Sequence, residues 1–118
     1  MRDHKLVFNK PAGDGSGYAN IQPCSGEVVY GVLYKITPEE LAKLDIYEGV
    51  HCGHYYRESL EVTTISGEIV IAECYLAKKI CNGLRPRFDY LSHLIRGAEE
   101  HGLPKDYIEK LKSWRWDN

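Results

Sequence analysis

Apolar residues recur at helical spacing in three stretches of this chain and alternate with polar ones in others. Phe88, Leu91, Leu94, Ile95 and Ala98 fall on one helical face, which predicts a helix over residues 87–101. Gly102 and Pro104 stop it. A last helix runs from about Lys105 and buries Tyr107, Ile108, Leu111 and Trp114. Thr37-Pro38-Glu39-Glu40 opens the remaining helix, with Thr as N-cap, Pro at the first position and Glu at the third. Leu41 and Leu44 set its buried face, and it ends near Glu48.

Alternation of period two marks strands. In residues 54–64, Tyr56, Leu60 and Val62 share one face while Arg57, Ser59 and Glu61 share the other. Residues 68–78 are apolar on both faces, the mark of a more central strand. Ile65-Ser66-Gly67 joins these two strands into a hairpin. Residues 28–35 also read as a strand, with Gly31 marking a bulge or a close backbone approach. Residues 5–8 read as a strand too. Residues 9–26, rich in Gly, Pro, Ser and Asn, read as a long loop. Within it, Gly13-Asp14-Gly15-Ser16-Gly17-Tyr18 reads as a flexible connector. Strands in hairpins followed by helices gathered at the end give an α+β class.

Bulk properties narrow the function. The 118 residues fit one domain, spanning 1–118, that is large enough to bury a core without disulfides. With 43% hydrophobic and 27% charged residues it reads as an ordinary globule. A net charge of -2 provides no basic field for nucleic acid. No apolar run has membrane-spanning length and no signal-peptide pattern opens the chain, which points to the cytoplasm. Cys24, Cys52, Cys74 and Cys81 form no CxxC pair, so unpaired thiols are expected. His51-Cys52-Gly53-His54 lies in a turn and has no second ligand pair at a zinc-like spacing, so no metal is expected.

The segment Leu44-Asp45-Ile46-Tyr47-Glu48-Gly49-Val50 carries the candidate chemistry. Gly49 suits the left-handed residue just past a helix. Glu48 then sits at the partially negative helix end, among apolar and aromatic neighbours. Both influences favour the protonated carboxyl. A carboxyl titrating nearer neutrality can take and return a proton near pH 7. A solvated Glu on a helix end is the bland alternative, and from these seven residues alone it is the commoner case.

The order of pieces around that segment is more specific than any one of them. Val29-Tyr30-Gly31-Val32-Leu33-Tyr34 precedes it, and Tyr55-Tyr56-Arg57-Glu58-Ser59-Leu60-Glu61-Val62 follows. Then come Glu73-Cys74-Tyr75-Leu76-Ala77, Leu84-Arg85-Pro86 with Tyr90-Leu91, Gly97-Ala98, and Gly102-Leu103-Pro104 with Tyr107 and Leu111. From about Leu6 to about Leu111 this resembles the gamma-glutamylcyclotransferase-like family, including the AIG2-like proteins. The resemblance implies a small, mostly antiparallel β-barrel with helices packed outside. It implies cyclisation of a gamma-glutamyl group to 5-oxoproline, with Glu48 as the acid/base and no cofactor. The substrate is then a small gamma-glutamyl compound. Tyr55 is expected to line the same cavity, although a core or rim aromatic is as common a role. Arg87 follows Pro86 where the family has a small hydroxyl residue, and is expected to touch the substrate if that position borders the pocket. Arg57 is expected in a strand-face ion pair, Asp45 in a cap or pair within its helix, and Tyr90 and Phe88 in the core.

Family enzymes begin with a strand and loop reading Tyr-Gly-Ser-Asn-Leu, whose backbone holds the gamma-glutamyl part. Nothing in residues 1–30 reads that way. The expectation is therefore a barrel open on one side and a weakened activity, with an exposed edge that a homodimer or strand exchange would cover. The competing class is a small-molecule-binding or interaction protein on the same fold.

Overall fold

A computed structural model describes residues 1–114. Strands β1 (Arg2–Pro11) and β2 (Gly17–Val28) form one antiparallel hairpin. Helix α1 (Pro38–Tyr47) and a 3₁₀ turn (Val50–Cys52) lead into a second hairpin, β3 (Tyr55–Thr63) with β4 (Ile69–Ala77). Helices α2 (Phe88–Glu100) and α3 (Lys105–Lys112) complete the order. The α+β class and the antiparallel pairing are as expected. Among the described residues the strands make two two-stranded sheets, and these four strands do not close into a barrel.

The long loop expected over residues 9–26 is instead mostly hairpin. Only residues 12–16 turn, and Asp14 accepts hydrogen bonds from both the backbone N–H and the hydroxyl of Ser16 to shape that turn. Gly17 is required there by space, since a Cβ would lie 2.0 Å from the Phe8 carbonyl oxygen. Polar side chains at Asn9 and Asn20 hid the strands from a hydrophobic reading. They are buried but paired, with Asn20 Nδ2 donating to Asn9 Oδ1 at 3.0 Å.

A bulge shapes β1. Val7 pairs with Asn20 and Lys10 with Tyr18, so Phe8 and Asn9 together oppose Ala19. The extra residue breaks strict alternation, and three consecutive side chains, Phe8, Asn9 and Lys10, are all buried. Phe8 enters the core with Leu91, Ile95 and Ala98 of α2 and Tyr107, Ile108 and Leu111 of α3. Trp114 packs on it edge-on at 5.0 Å between ring centroids.

The strand expected over residues 28–35 does not form beyond Val28. Residues 30–36 are all exposed and have no ladder partner among the described residues, and a strand without a partner is only an extended chain. A Cβ at Gly31 would meet nothing within 4 Å among the described residues, so it marks no close approach. α1 has the capping box anticipated from Thr37 and Glu40. It buries no residue, however: Leu41 is half-buried and Leu44 exposed. β4 is not central. Among the described residues it pairs only with β3, and Ile69 and Ile71 are exposed, while Leu76 and Ala77 at its end are buried beside β2. Phe88, expected in the core, is 69% exposed, because it precedes the buried stripe by a full turn. Among the described residues no helix is long and apolar enough to cross a membrane.

Candidate functional site

Glu48 is the C-cap of α1, with φ -78° and ψ 0°, and its N–H donates to the Leu44 carbonyl at 2.8 Å. Gly49 follows at φ 67°, the left-handed conformation anticipated from the sequence. A Cβ at Gly49 would lie 2.6 Å from His54 Cδ2, so the imidazole packs directly on this glycine. The Gly49 carbonyl accepts from both Cys52 N–H (3.0 Å) and His54 N–H (3.1 Å). These contacts fix the turn that delivers Tyr55 into β3 a short step from Glu48.

Glu48 is half-buried. Burial raises its pKa above the usual 4.5, and the charge of Lys10 opposes that rise. The field of Glu48 reaches three tyrosines. Tyr55 is pushed up first by burial, then by Tyr90 and Glu48. Tyr90 is raised chiefly by burial, with a smaller contribution from Glu48. Tyr75 is pushed up to about 12 by burial and its hydrogen bond to Asp45, with Glu48 a minor cause. Glu48, Lys10, Tyr55, Tyr75 and Tyr90 therefore form one electrostatic neighbourhood drawn from α1, β1, β3, β4 and α2.

β2 holds this neighbourhood together through one residue. The Tyr55 hydroxyl donates to the Ala19 carbonyl at 3.1 Å, and the Ala19 N–H donates to the Tyr90 hydroxyl at 3.1 Å. Beside it, Asn20 Oδ1 accepts from Ala77 N–H at 2.8 Å and joins the two hairpins. Tyr18 closes the group by packing edge-on against Tyr90, 5.2 Å between centroids.

Asp45 does not pair within its own helix. It accepts from Arg57 Nη1 at 2.8 Å and from the Tyr75 hydroxyl at 2.5 Å, so it fastens α1 to the second hairpin. Arg57 also meets Glu73 at 3.8 Å, a strand-face ion pair as expected. Arg87 stands apart from this group. It is exposed, and its partners are Asp14 and Asp89, each at 3.4 Å. These residues, with Gly15, Ser16 and Phe88, line an open concavity of about 570 Å³. A second, of about 280 Å³, lies between β1 and residues 82–85. Neither includes Glu48. Volume alone is a poor guide here, since the perturbed carboxyl and the converging tyrosines lie elsewhere.

Lys10, His54 and Tyr18 belong to the Glu48 neighbourhood, and the sequence reading did not place them there. No spacing in the sequence marks Lys10, because it is the bulge that aims it inward. The cysteines at 24, 52, 74 and 81 carry free thiols, and burial raises the Cys74 thiol's pKa. Among the described residues no three or more His, Cys, Asp or Glu side chains gather to hold a metal.

A model of the AIG2-like family matches residues 28–111. The gamma-glutamylcyclotransferase of Homo sapiens is 34% identical over 118 residues, which cover 96% of this chain and 62% of that protein. That of Bos taurus is 33% identical with the same coverage. The chain thus spans less than two thirds of the length of these relatives, 62%. A solved structure of a gamma-glutamyl cyclotransferase superposes with a TM-score of 0.90 at 32% identity, over 100% of this chain and 72% of that one.

Proposed function

Since the chain belongs to the AIG2-like family, we propose that it is a gamma-glutamylcyclotransferase, acting on small gamma-glutamyl compounds. The observation that carries this reading is Glu48, a half-buried carboxyl of raised proton affinity set among tyrosines at a helix end. Its relatives' names and the close superposition support it.

The chemistry asks little of the protein. The substrate's alpha-amine nitrogen bonds to its own gamma-carbonyl carbon, and the bond from that carbon to the leaving nitrogen breaks. Glu48 takes the proton the attacking amine must lose and returns it to the leaving amine. The products are 5-oxoproline and a free amine or amino acid. Tyr55, fixed by its bond to Ala19, lines the site and helps hold the substrate folded so that nitrogen meets carbon. Arg87 would meet the substrate only at its outer end, from the concavity it shares with Asp14 and Phe88. On this reading the protein works as one domain in the cytoplasm, where its four free thiols stay reduced.

The test is 5-oxoproline release from gamma-glutamyl dipeptides and gamma-glutamylamines, by this chain and by Glu48→Gln. The substitution should cost about 10²–10⁴-fold in rate. The unsubstituted rate should climb with pH through the folded pKa of Glu48, above 4.5, because the carboxylate is the active form. A second reading, a binding protein on the same fold, is favoured by the absence of Glu48 from either concavity. No turnover at all would decide for it, whereas turnover that survives Glu48→Gln unchanged would remove Glu48 as the acid/base and leave the cyclotransferase reading to other residues.

A further inference from the structure

Lys10 is the one buried charged side chain among the described residues, at 7% exposure. Its Nζ lies 5.5 Å from the ring centroid of Tyr18 and 5.3 Å from that of Tyr55. His54 Nδ1 stands 3.4 Å away and accepts from the ammonium. That histidine ring is the one packed on Gly49, next to Glu48. Burying an ammonium is costly unless an anion or several acceptors answer it. Aromatic faces repay part of that cost. Among the described residues Lys10 makes no ion pair, although Glu48 is close enough to feel its charge.

The result is a fixed positive charge and a fixed carboxylate in one neighbourhood but not in contact. That arrangement matches the head of an alpha-amino acid, whose amine and carboxylate carry opposite charges on one carbon. Arg87 cannot serve the same end, because two aspartates already neutralise it at an exposed position.

We propose that Lys10 is the carboxylate-binding group of the Glu48 site, and that it selects gamma-glutamyl compounds whose alpha-carboxylate is free. The inference rests on the cyclotransferase reading. With the carboxylate held on Lys10, the neighbouring amine is directed to Glu48, which takes its proton as the ring closes. The bulge in β1 is the device that makes this possible, since a regular strand would not bury Asn9 and Lys10 together.

Two measurements on the full chain test it. The first is NMR titration with 5-oxoproline and with 5-oxoprolinamide, which differ only in carboxylate against carboxamide. Lys10→Gln should weaken 5-oxoproline binding by about tenfold to a hundredfold, the scale of a lost charge-assisted hydrogen bond. It should change 5-oxoprolinamide binding by less than about twofold, because the carboxamide carries no charge for Lys10 to answer. Lys10→Arg should keep most of the discrimination, and a thermal melt of each variant confirms folding. Glu48→Gln should still bind 5-oxoproline, which has no free amine. The second is kcat/KM on a gamma-glutamyl dipeptide and on its alpha-carboxamide analogue, where Lys10→Gln should erase the preference. Equal weakening of both ligands by Lys10→Gln, or equal binding of both by the unsubstituted chain, overturns the assignment. Carboxylate-selective binding without any turnover would sustain Lys10 while removing the cyclotransferase reading. Turnover without carboxylate selectivity would do the reverse.

Discussion

Glu48 owes its position to backbone, not to a network of side chains. A left-handed glycine ends α1 immediately after it, and the imidazole of His54 fills the space a larger residue at 49 would need. That glycine was legible, because a Gly after a helix-length apolar pattern has a known conformational use. The surrounding site was less so. Lys10 sits in a stretch that reads as loop, and its inward aim depends on a register shift that no residue spacing encodes. The raised pKa of Glu48 also fixes a sign. Its ionised form is disfavoured in the fold, so the stability it contributes is full below the unfolded value of 4.5 and is lost as pH rises through the folded pKa. Glu48→Gln should therefore match the parent in urea unfolding at pH 4 and exceed it at pH 7. The gain should be about 0.5 kcal/mol, a figure discounted for the carboxyl's partial exposure. A variant weaker than the parent at pH 7 would show that Lys10 outweighs burial.

The elements whose apolar pattern matched their packing were the ones readable from sequence. α2 and α3 present Leu91, Ile95, Tyr107, Ile108 and Leu111 to one core, and the β3–β4 hairpin turns where expected. The β1–β2 hairpin was missed because its inward residues include two asparagines that pair with each other instead of with apolar neighbours. Residues 28–35 look like a strand by composition, yet pairing is a property of two segments and no partner is present among the described residues. α1 is the case where a strong local signal meets weak packing. Its capping box is complete, but it buries nothing, and its hold on the rest runs through Asp45 to Arg57 and Tyr75. Asp45→Ala should therefore leave the core intact and release α1. Hydrogen exchange should speed across Pro38–Tyr47 with protection of α2 unchanged, and Glu48-dependent turnover should fall with it. Unaltered exchange in α1 would mean that other contacts hold it.

The molecule as a whole is assembled from two parts of the chain that meet at the site. The first hairpin brings Phe8 to the helical core and Lys10 to the tyrosines, while the rest brings Glu48, Tyr55 and Tyr90. Asn20 to Ala77, and Ala19 to Tyr55 and Tyr90, stitch the two together. Between them runs the exposed, unpaired stretch of residues 30–36, anchored at its start by Tyr30 against Tyr107. A protease needs an accessible chain it can extend, and Leu33 and Tyr34, at 55% and 69% exposure, offer one. Chymotrypsin in native buffer should nick first at 33–34 and give two fragments on a denaturing gel. The halves should nonetheless co-elute in gel filtration, because the bonds and core contacts joining them lie elsewhere. Early cutting within α2, or separation of the halves, would contradict this. If they stay together, each carries half the reacting machinery, Lys10 on one and Glu48 on the other. Separately expressed, they would act as a split reporter whose signal is the reaction itself.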